Sequence, residues 1–507
     1  MADKTEIISS LSDKASLPLS PLPTESCIIS TELRNYLSSR CKEPVLLLES
    51  AGKESCCIFR VPESFVAMNP EAYKPKVVSI GPYHYGEKHL QMIQQHKLRF
   101  LKLFLDEARK NGVDENVLVK AVTDSEEKIR KSNSEELRVD DLEPKEQHSL
   151  MFLMVLDGCF ILMLFLIVSS NIGLNEENDP LFTIPWILLS IQSDLLLLEN
   201  QVLFFVLQTL YVKSKIGLPG DLNRIAFEFF KRSIDKQGSY WEKHRNFQAK
   251  HLLDLIRKTF LPNMRSVGES ETTSSQDVQL HEGNSGKVSS SDSTGVVPLI
   301  LSAKRLRLQG IKFRLRRIEE EDSILDIKLK KNRLQIPLLR FDGFISSFFL
   351  NCVAFEQFYT DSSNDITSYV VFMGCLLDGE EDVTFLRNEK LIIENHFGSN
   401  SEVSEFFKSI SKDVLFEIHT SYLNNVFKGV NEYTKKWYNG LWAGFKHTHF
   451  ESPWTCLSSF AVVFVIFLTM LQAIVAILSF LNDKKKMMET QLLHWVFLSE
   501  NQICSSL

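Results

Sequence analysis

The stretch LMFLMVLDGCFILMLFLIV, Leu150–Val168, decides how the rest of the chain is read. Its length approaches the roughly 20 residues that a membrane span needs at about 1.5 Å rise each. Asp157 stands near its centre, beside Gly158. An Asp at that depth in a bilayer costs about 2.5–3.5 kcal/mol. The next apolar run, Pro185–Tyr211, carries Asp194, Glu199, Asn200 and Gln201. Apolar runs interrupted in this way predict central helices of a packed body, with a second membrane span as the rival reading.

A second stretch, FAVVFVIFLTMLQAIVAILSFL at Phe460–Leu481, has no charge at all. Pro453 and Trp454 precede it, and Lys484, Lys485 and Lys486 follow it. Length, apolarity and flanks together predict a single transmembrane helix within 456–481 and a short basic tail over 482–507. A buried core helix is the rival. Two arguments about orientation conflict. The short tail suits post-translational insertion with the body in the cytosol. The excess of Lys after the span, with only Lys446 between Leu441 and Ser459, argues the reverse under the positive-inside rule. Met1–Ser30 has no apolar run of the secretory type, and no Asn-x-Ser/Thr sequon occurs in the chain. Both favour a cytosolic body.

Composition fits a globular protein: 44% hydrophobic and 24% charged residues in 507. Phe occurs 36 times against 11 Tyr and 6 Trp, which predicts an aromatic core. A net charge of −7 without a basic patch interleaved with aromatics argues against nucleic acid as a partner. The nine Cys are scattered and form no CxxC, so neither a disulfide framework nor a zinc site is expected. Cys159 and Cys352 read as buried thiols.

Outward from the central runs, the chain divides by pattern. Residues 1–40 read as a disordered arm, 41–262 as the first part of a helical core, 263–298 as a disordered Ser/Gly-rich insertion, and 299–452 as the second part. Glu87–Lys110 is an amphipathic helix in which Leu90, Ile93, Phe100, Leu101, Phe104 and Leu105 form the apolar stripe and Lys97 interrupts it. Further helices are expected at Ser125–Arg138, Ile184–Val212, Leu222–Lys231, Trp241–Phe260, Ala303–Gln309 and Phe344–Gln357. Another is expected at Asn400–Ser409, with Ser401 as N-cap. The runs Lys312–Arg317, Ile324–Lys330 and Leu334–Phe341 predict a small antiparallel β meander. The expected fold is therefore mainly α: a multi-helix globular body, the meander, and one C-terminal transmembrane helix.

Several segments resemble a plant family known as domain of unknown function 247 (DUF247). They are Arg60-Val61-Pro62, Ala72-Tyr73-Lys74-Pro75, Ser79-Ile80-Gly81-Pro82-Tyr83-His84, Leu156–Phe160, Asp194–Gln201 leading to Phe204-Phe205, Ser302–Leu306, Gly310–Phe313, Asn351–Gln357 and Pro453-Trp454. Their order resembles the family from about Cys56 to Leu481. The departures are Val202 where the family usually shows Pro, a loose match at Gln208–Tyr211, and a longer tail. The resemblance implies a helical fold, a C-terminal membrane helix and no established enzymatic activity. Some grass members of the family are implicated in self-incompatibility, a recognition role.

Candidates for chemistry are few. His84, His89, His96 and Lys97 cluster in sequence, and His89 and His96 share a helix face. Neither has a carboxylate three or four residues away on that face, so hydrogen bonding outweighs a metal or general-base role. Asp157 must be paired or protonated if buried, and Arg60 is a plausible partner. It could instead be an acid with a raised pKa. Asp194, Glu199, Asn200 and Gln201 read as a buried polar network that fixes helix register, joined by Asn351, Glu356 and Gln357. No GxGxxG, Walker loop, HExxH or GxSxG occurs. No catalytic, cofactor or metal residues are assigned, and no small-molecule substrate can be identified. The expected function is a membrane-anchored, non-enzymatic recognition or signalling scaffold that meets an unknown protein partner and holds the membrane through Phe460–Leu481. The alternative is an enzyme that uses the His84–Lys97 region or Asp157.

Overall fold

The computed structural model describes residues 50–67, 69–135, 149–169, 179–216, 222–234, 244–261, 299–316, 323–388, 393–395, 398–412, 414–436 and 453–504. The arm expected at 1–40 and the insertion expected at 263–298 lie outside the described residues. The chain forms two compact units. One takes in the residues up to Ile256 together with Ala354–Ser362, and the other takes in Arg257–Val353 and everything from Ser363.

The first unit contains α1 (Glu63–Val66), α2 (Gln91–Lys110), α3 (Glu115–Thr123), α4 (Glu126–Lys131), α5 (Leu150–Val168), α6 (Pro180–Thr183), α7 (Pro185–Asp194), α8 (Phe204–Ser214), α9 (Leu222–Ile234) and the start of α10 (Leu252–Phe260). Helix α5 is the apolar stretch that Asp157 interrupts. Ser149 caps it, its Oγ accepting the Phe152 N–H at 3.2 Å. From Leu153 to Ile167 every residue is buried. Helices α2, α3, α8 and α9 pack around it. Each buried Leu, Ile or Phe gains roughly 1.5–3 kcal/mol over exposure, so α5 easily outweighs the cost of ordering itself and of burying Asp157. The Phe-rich composition appears here as ring pairs: Phe100 meets Phe160 edge-on at 5.4 Å, and Phe165 meets Phe229 at 5.0 Å. Gly158 lets α8 come close, since a Cβ at that position would lie 2.5 Å from Leu210 Cδ1.

Three helices differ from expectation. The one expected at Ser125–Arg138 stops at Lys131, after which Asn133 bridges to Ile58 in extended backbone. Ile184–Val212 is broken: α7 ends at Asp194 and α8 starts at Phe204. The break is chemical. The Asn200 and Gln201 amides donate to the Asp194, Leu195 and Leu197 carbonyls, the groups that a continuing helix would have bonded with backbone N–H. In Trp241–Phe260, α10 begins only at Leu252. His251 precedes it, Nδ1 accepting the Asp254 N–H at 3.2 Å while Nε2 donates to the Cys57 carbonyl at 3.1 Å, and Asp254 in turn accepts the Lys250 N–H at 3.0 Å. This reciprocal arrangement works as a capping box.

The second unit contains the end of α10, α11 (Ala303–Leu308), β1 (Lys312–Arg316), β2 (Lys328–Lys330), β3 (Arg333–Pro337), β4 (Leu339–Phe341), most of α12 (Gly343–Phe358), α13 (Asp365–Leu376), α14 (Glu380–Asn388), β5 (Ile393–Asn395), α15 (Asn400–Lys412), α16 (Asn424–Thr434) and α17 (Pro453–Cys504). Strands β1 to β4 fall in the runs the sequence marked and β5 does not, and the three-stranded sheet is mixed and not an antiparallel meander. β3 is central, parallel to β1 and antiparallel to β2. The expected third strand is divided at Pro337, which has no N–H to donate, and β4 pairs in parallel with β5 instead. Helix α15 is capped by Ser399, whose Oγ accepts the Glu402 N–H at 3.3 Å, and not by Ser401, which lies inside the helix. Cys159 on α5 and Cys352 on α12 are buried thiols.

Helix α17 has 52 residues, about 78 Å at 1.5 Å per residue. Two described helices are long and apolar enough to cross a membrane, α5 and the part of α17 from Phe460. The first is enclosed by its own unit. The second exposes its large apolar side chains along its length, Phe460, Val463, Phe467, Val475 and Phe480 among them.

Candidate functional site

The two charges that interrupt the apolar pattern of the first unit meet each other. On α2 the buried stripe runs Ile93, Lys97, Phe100, Phe104, Ala108, so Lys97 occupies a core position. Its Nζ donates to Asp157 Oδ1 on α5 at 2.5 Å and to the Ser79 carbonyl, with both side chains fully buried. Asp157 Oδ2 accepts the Gly81 N–H at 2.7 Å. Lys97 is therefore the partner that Asp157 required, not Arg60. Arg60 stays half exposed, bonding Glu135 at 3.1 Å and lying 3.7 Å from Glu199. Burial raises the Asp157 carboxyl above the ordinary Asp value, while Lys97 and the Gly81 N–H pull it back.

The same loop is held at further points by side chains from the α7–α8 connection. Asp194 accepts the N–H groups of Lys76, Val77 and Val78 at 2.8–3.0 Å. Asn200 Oδ1 accepts the Ile80 N–H at 2.6 Å, and its Nδ2 donates to the Val78 carbonyl at 3.0 Å and the Asp194 carbonyl at 2.9 Å. Gln201 Oε1 accepts Leu252 and Leu253 N–H at the start of α10. Glu199 Oε1 accepts the Val61 N–H at 2.6 Å. The polar set is thus not a register device within one helix. It is a clamp in which carboxylates and amides replace the partners that a buried, irregular backbone would otherwise lack. Asn351, expected to join it, donates to the Ser347 carbonyl on its own helix.

Gly81 sits at the closest point of the clamp, with φ +72°. A Cβ there would lie 2.7 Å from the Gln201 carbonyl oxygen. Gly81→Ala combines a left-handed penalty of about 1–2 kcal/mol with a backbone clash. We expect a loss of more than ~2 kcal/mol in urea unfolding followed by tryptophan fluorescence, and a wild-type midpoint would contradict the clamp geometry.

The histidines do not form a site. His84 is buried, with Nδ1 2.7 Å from Glu87 Oε1 and Nε2 3.4 Å from Glu199 Oε2. His89 is half exposed and bonds the Pro75 carbonyl through Nε2 at 3.1 Å. His96 is held below the usual imidazole value by partial burial and then by Arg99. Among the described residues no group of three or more His, Cys, Asp or Glu is placed to hold a metal. Asp157 and Lys97, the chemically strongest pair, have no exposed surface through which to meet a substrate.

The clamp makes stability depend on pH. Burial alone would lower the His84 imidazole, but Glu199 and Glu87 more than offset it and raise it above its ordinary value. Burial pushes the Asp194 carboxyl up to about 6 despite its three N–H donors. In both cases the folded protein holds protons more tightly than the unfolded chain. Their contribution is full below the unfolded pKa and is lost as pH rises through the folded one. For Asp194 that window runs from the ordinary Asp value to about 6, and for His84 it lies above about 6.5. Thermal melts should show one decline in stability as pH rises from about 4 to about 6 and another from pH ~6.5 upward, the second of them flatter in His84→Gln. An equal slope in the variant would remove His84 as the cause.

Sequence reasoning identified Asp157, Asp194, Glu199, Asn200 and Gln201 as buried polar residues but missed what they hold. The ligands of the clamp are backbone groups of Val61 and 76–81, which carry no side-chain signal. The one available clue was Gly81 in Ser79–His84, the residue type that a left-handed backbone position favours.

The family model for DUF247, described as a plant protein of unknown function, matches residues 58–468 and so contains every member of the clamp. The UPF0481 protein At3g47200 of Arabidopsis thaliana is 77% identical over 487 residues, covering 96% of this chain and 97% of its own length. The putative UPF0481 protein At3g02645 of the same plant is 22% identical over 506 residues, covering 82% of this chain and 89% of its own. No solved structure matches the chain. Four of the segments that carry the resemblance, Arg60–Pro62, Ser79–His84, Leu156–Phe160 and Asp194–Gln201, meet in the clamp. With a family model spanning most of its length and so similar a relative, the chain belongs to the DUF247 family of plant proteins of unknown function.

Proposed function

We propose that the protein is a membrane-anchored scaffold for recognition or signalling, acting through protein contacts of its helical body. One observation carries this reading. Helix α17 presents an uncharged apolar stretch, Phe460–Leu481, with its side chains exposed, and 22 residues at 1.5 Å make about 33 Å, enough for a hydrocarbon core of about 30 Å. The body's strongest chemical groups support a non-enzymatic role, since Lys97, Asp157, Asp194 and Asn200 are spent on holding backbone. The absence of Asn-x-Ser/Thr sequons in the sequence favours a body in the cytosol.

The test is topology together with extraction. Engineered sequons before Pro453 and after Lys486 are introduced singly into the full chain. Glycosylation only at the second, with the protein resistant to alkaline carbonate, is the expected result. Glycosylation at the first reverses the orientation, and release by carbonate removes the anchor. Turnover of a defined substrate by the purified chain, lost in an exposed-residue variant that stays folded, would replace the scaffold with an enzyme.

A further inference from the structure

The three-stranded sheet of the second unit buries one face and turns the other to solvent. Phe313, Leu334 and Ile336 are buried, while Lys312, Arg314, Lys328, Lys330 and Arg333 are exposed. The register explains the division. Lys312, Arg333 and Lys330 stand directly opposite one another across β1, β3 and β2, and Arg314, Gln335 and Lys328 form the next row on the same face. Like charges opposite one another on neighbouring strands destabilise a sheet. Asp326 relieves one corner, pairing with Arg316 at 2.6 Å and Lys328 at 3.1 Å. Among the described residues no ion pair reaches Lys312, Arg314, Lys330 or Arg333. A chain of net charge −7 therefore concentrates unpaired cations on one flat surface.

We propose that this basic sheet face docks on the anionic headgroups of a lipid bilayer, resting on the reading that α17 enters that bilayer. Charge complementarity selects an anionic partner, and three features select lipid. The cations form a two-dimensional array on long side chains, which suits a planar, diffuse negative surface. The face has no aromatic side chain on which a nucleic-acid base could stack. It belongs to the same unit as α17, so an anchored chain already holds it at high effective concentration near headgroups. Each Lys or Arg brought to such a surface strengthens association about fivefold.

The test is lysine acetylation footprinting of the full chain, read by mass spectrometry, on phosphatidylcholine vesicles and on vesicles containing phosphatidylserine. Lys312, Lys328 and Lys330 are expected to react at least ~5-fold more slowly on the anionic vesicles, with the difference abolished by high salt. Exposed Lys102 on α2 serves as the control and should not change. The Arg314→Gln/Arg333→Gln variant keeps every reporter lysine and substitutes only exposed positions. It should lose most of the protection while melting like wild type. Equal labelling on both vesicle types overturns the proposal. So does protection that follows an added single-stranded oligonucleotide more strongly than phosphatidylserine, which would make the face a nucleic-acid site. Carbonate extraction of the same samples reports α17 separately. Release from both vesicle types fails the anchor, while the footprint still decides the sheet.

Discussion

Lys97→Met and Asp157→Leu are each expected to destabilise the first unit by about 3–5 kcal/mol, because each leaves its partner charged and alone in a core without solvent. The double variant should cost less than the sum. It removes both charges and leaves only the Ser79 carbonyl and the Gly81 N–H without partners, at about 1–3 kcal/mol each. A double-mutant cycle on urea midpoints should therefore give a coupling of more than ~2 kcal/mol. Additive losses would show that the two charges are stabilised independently. The single variants also differ in their pH response. Asp157 is raised by burial even with Lys97 beside it, and without Lys97 its pull downward is gone. Lys97→Met should regain stability as pH falls and the carboxyl takes a proton, since a raised carboxyl contributes most below its unfolded pKa. Asp157→Leu retains no carboxyl at the site and should show no such recovery.

This pair also marks the limit of what the sequence discloses. Helix α2 was legible from its apolar spacing, α5 from its length and lack of breakers, and the Phe460–Leu481 stretch from its freedom from charge. Asp157 was legible as a buried group in need of a partner, and Lys97 as the flaw in a stripe. Their pairing was not, because they are 60 residues apart and periodicity reports only which face a residue occupies. Arg60 reads as a plausible partner from sequence, yet its guanidinium is half in solvent, bonded to Glu135 at 3.1 Å and 3.7 Å from Glu199. The α7–α8 break was hidden for a different reason. A run of Leu reads as helix, and only the amides of Asn200 and Gln201, folding back on the carbonyls before them, reveal that it stops. The parallel pairing of β1 with β3 was equally invisible, since strand alternation does not encode direction.

Asn200→Leu is expected to cost more than ~2 kcal/mol, since it strands the Ile80 N–H and the Val78 carbonyl at once, each worth about 1–3 kcal/mol when buried without a partner, while the Asp194 carbonyl keeps the Leu197 N–H at 3.3 Å. Leu has the same branched shape and number of side-chain heavy atoms, so no cavity adds to this cost. Asn200→Asp separates acceptor from donor. It keeps an oxygen for the Ile80 N–H but removes two donors and points a carboxylate at two carbonyls. At neutral pH it should be at least as damaging as Leu, and it should recover as pH falls, because the protonated carboxyl restores one donor. Hydrogen exchange locates the effect. In wild type the Ile80 amide should exchange only with opening of the first unit. In Asn200→Leu it should exchange through local opening of residues 76–81 while the α5 amides remain protected. If Ile80 stays as slow as α5 in the variant, the loop is held by its packing against α5 and not by Asn200. If both accelerate together, the loop and helix open as one cooperative unit. The local result would mean that four of the segments carrying the family resemblance build a separable clamp, whose integrity can be removed while the helical core around α5 persists.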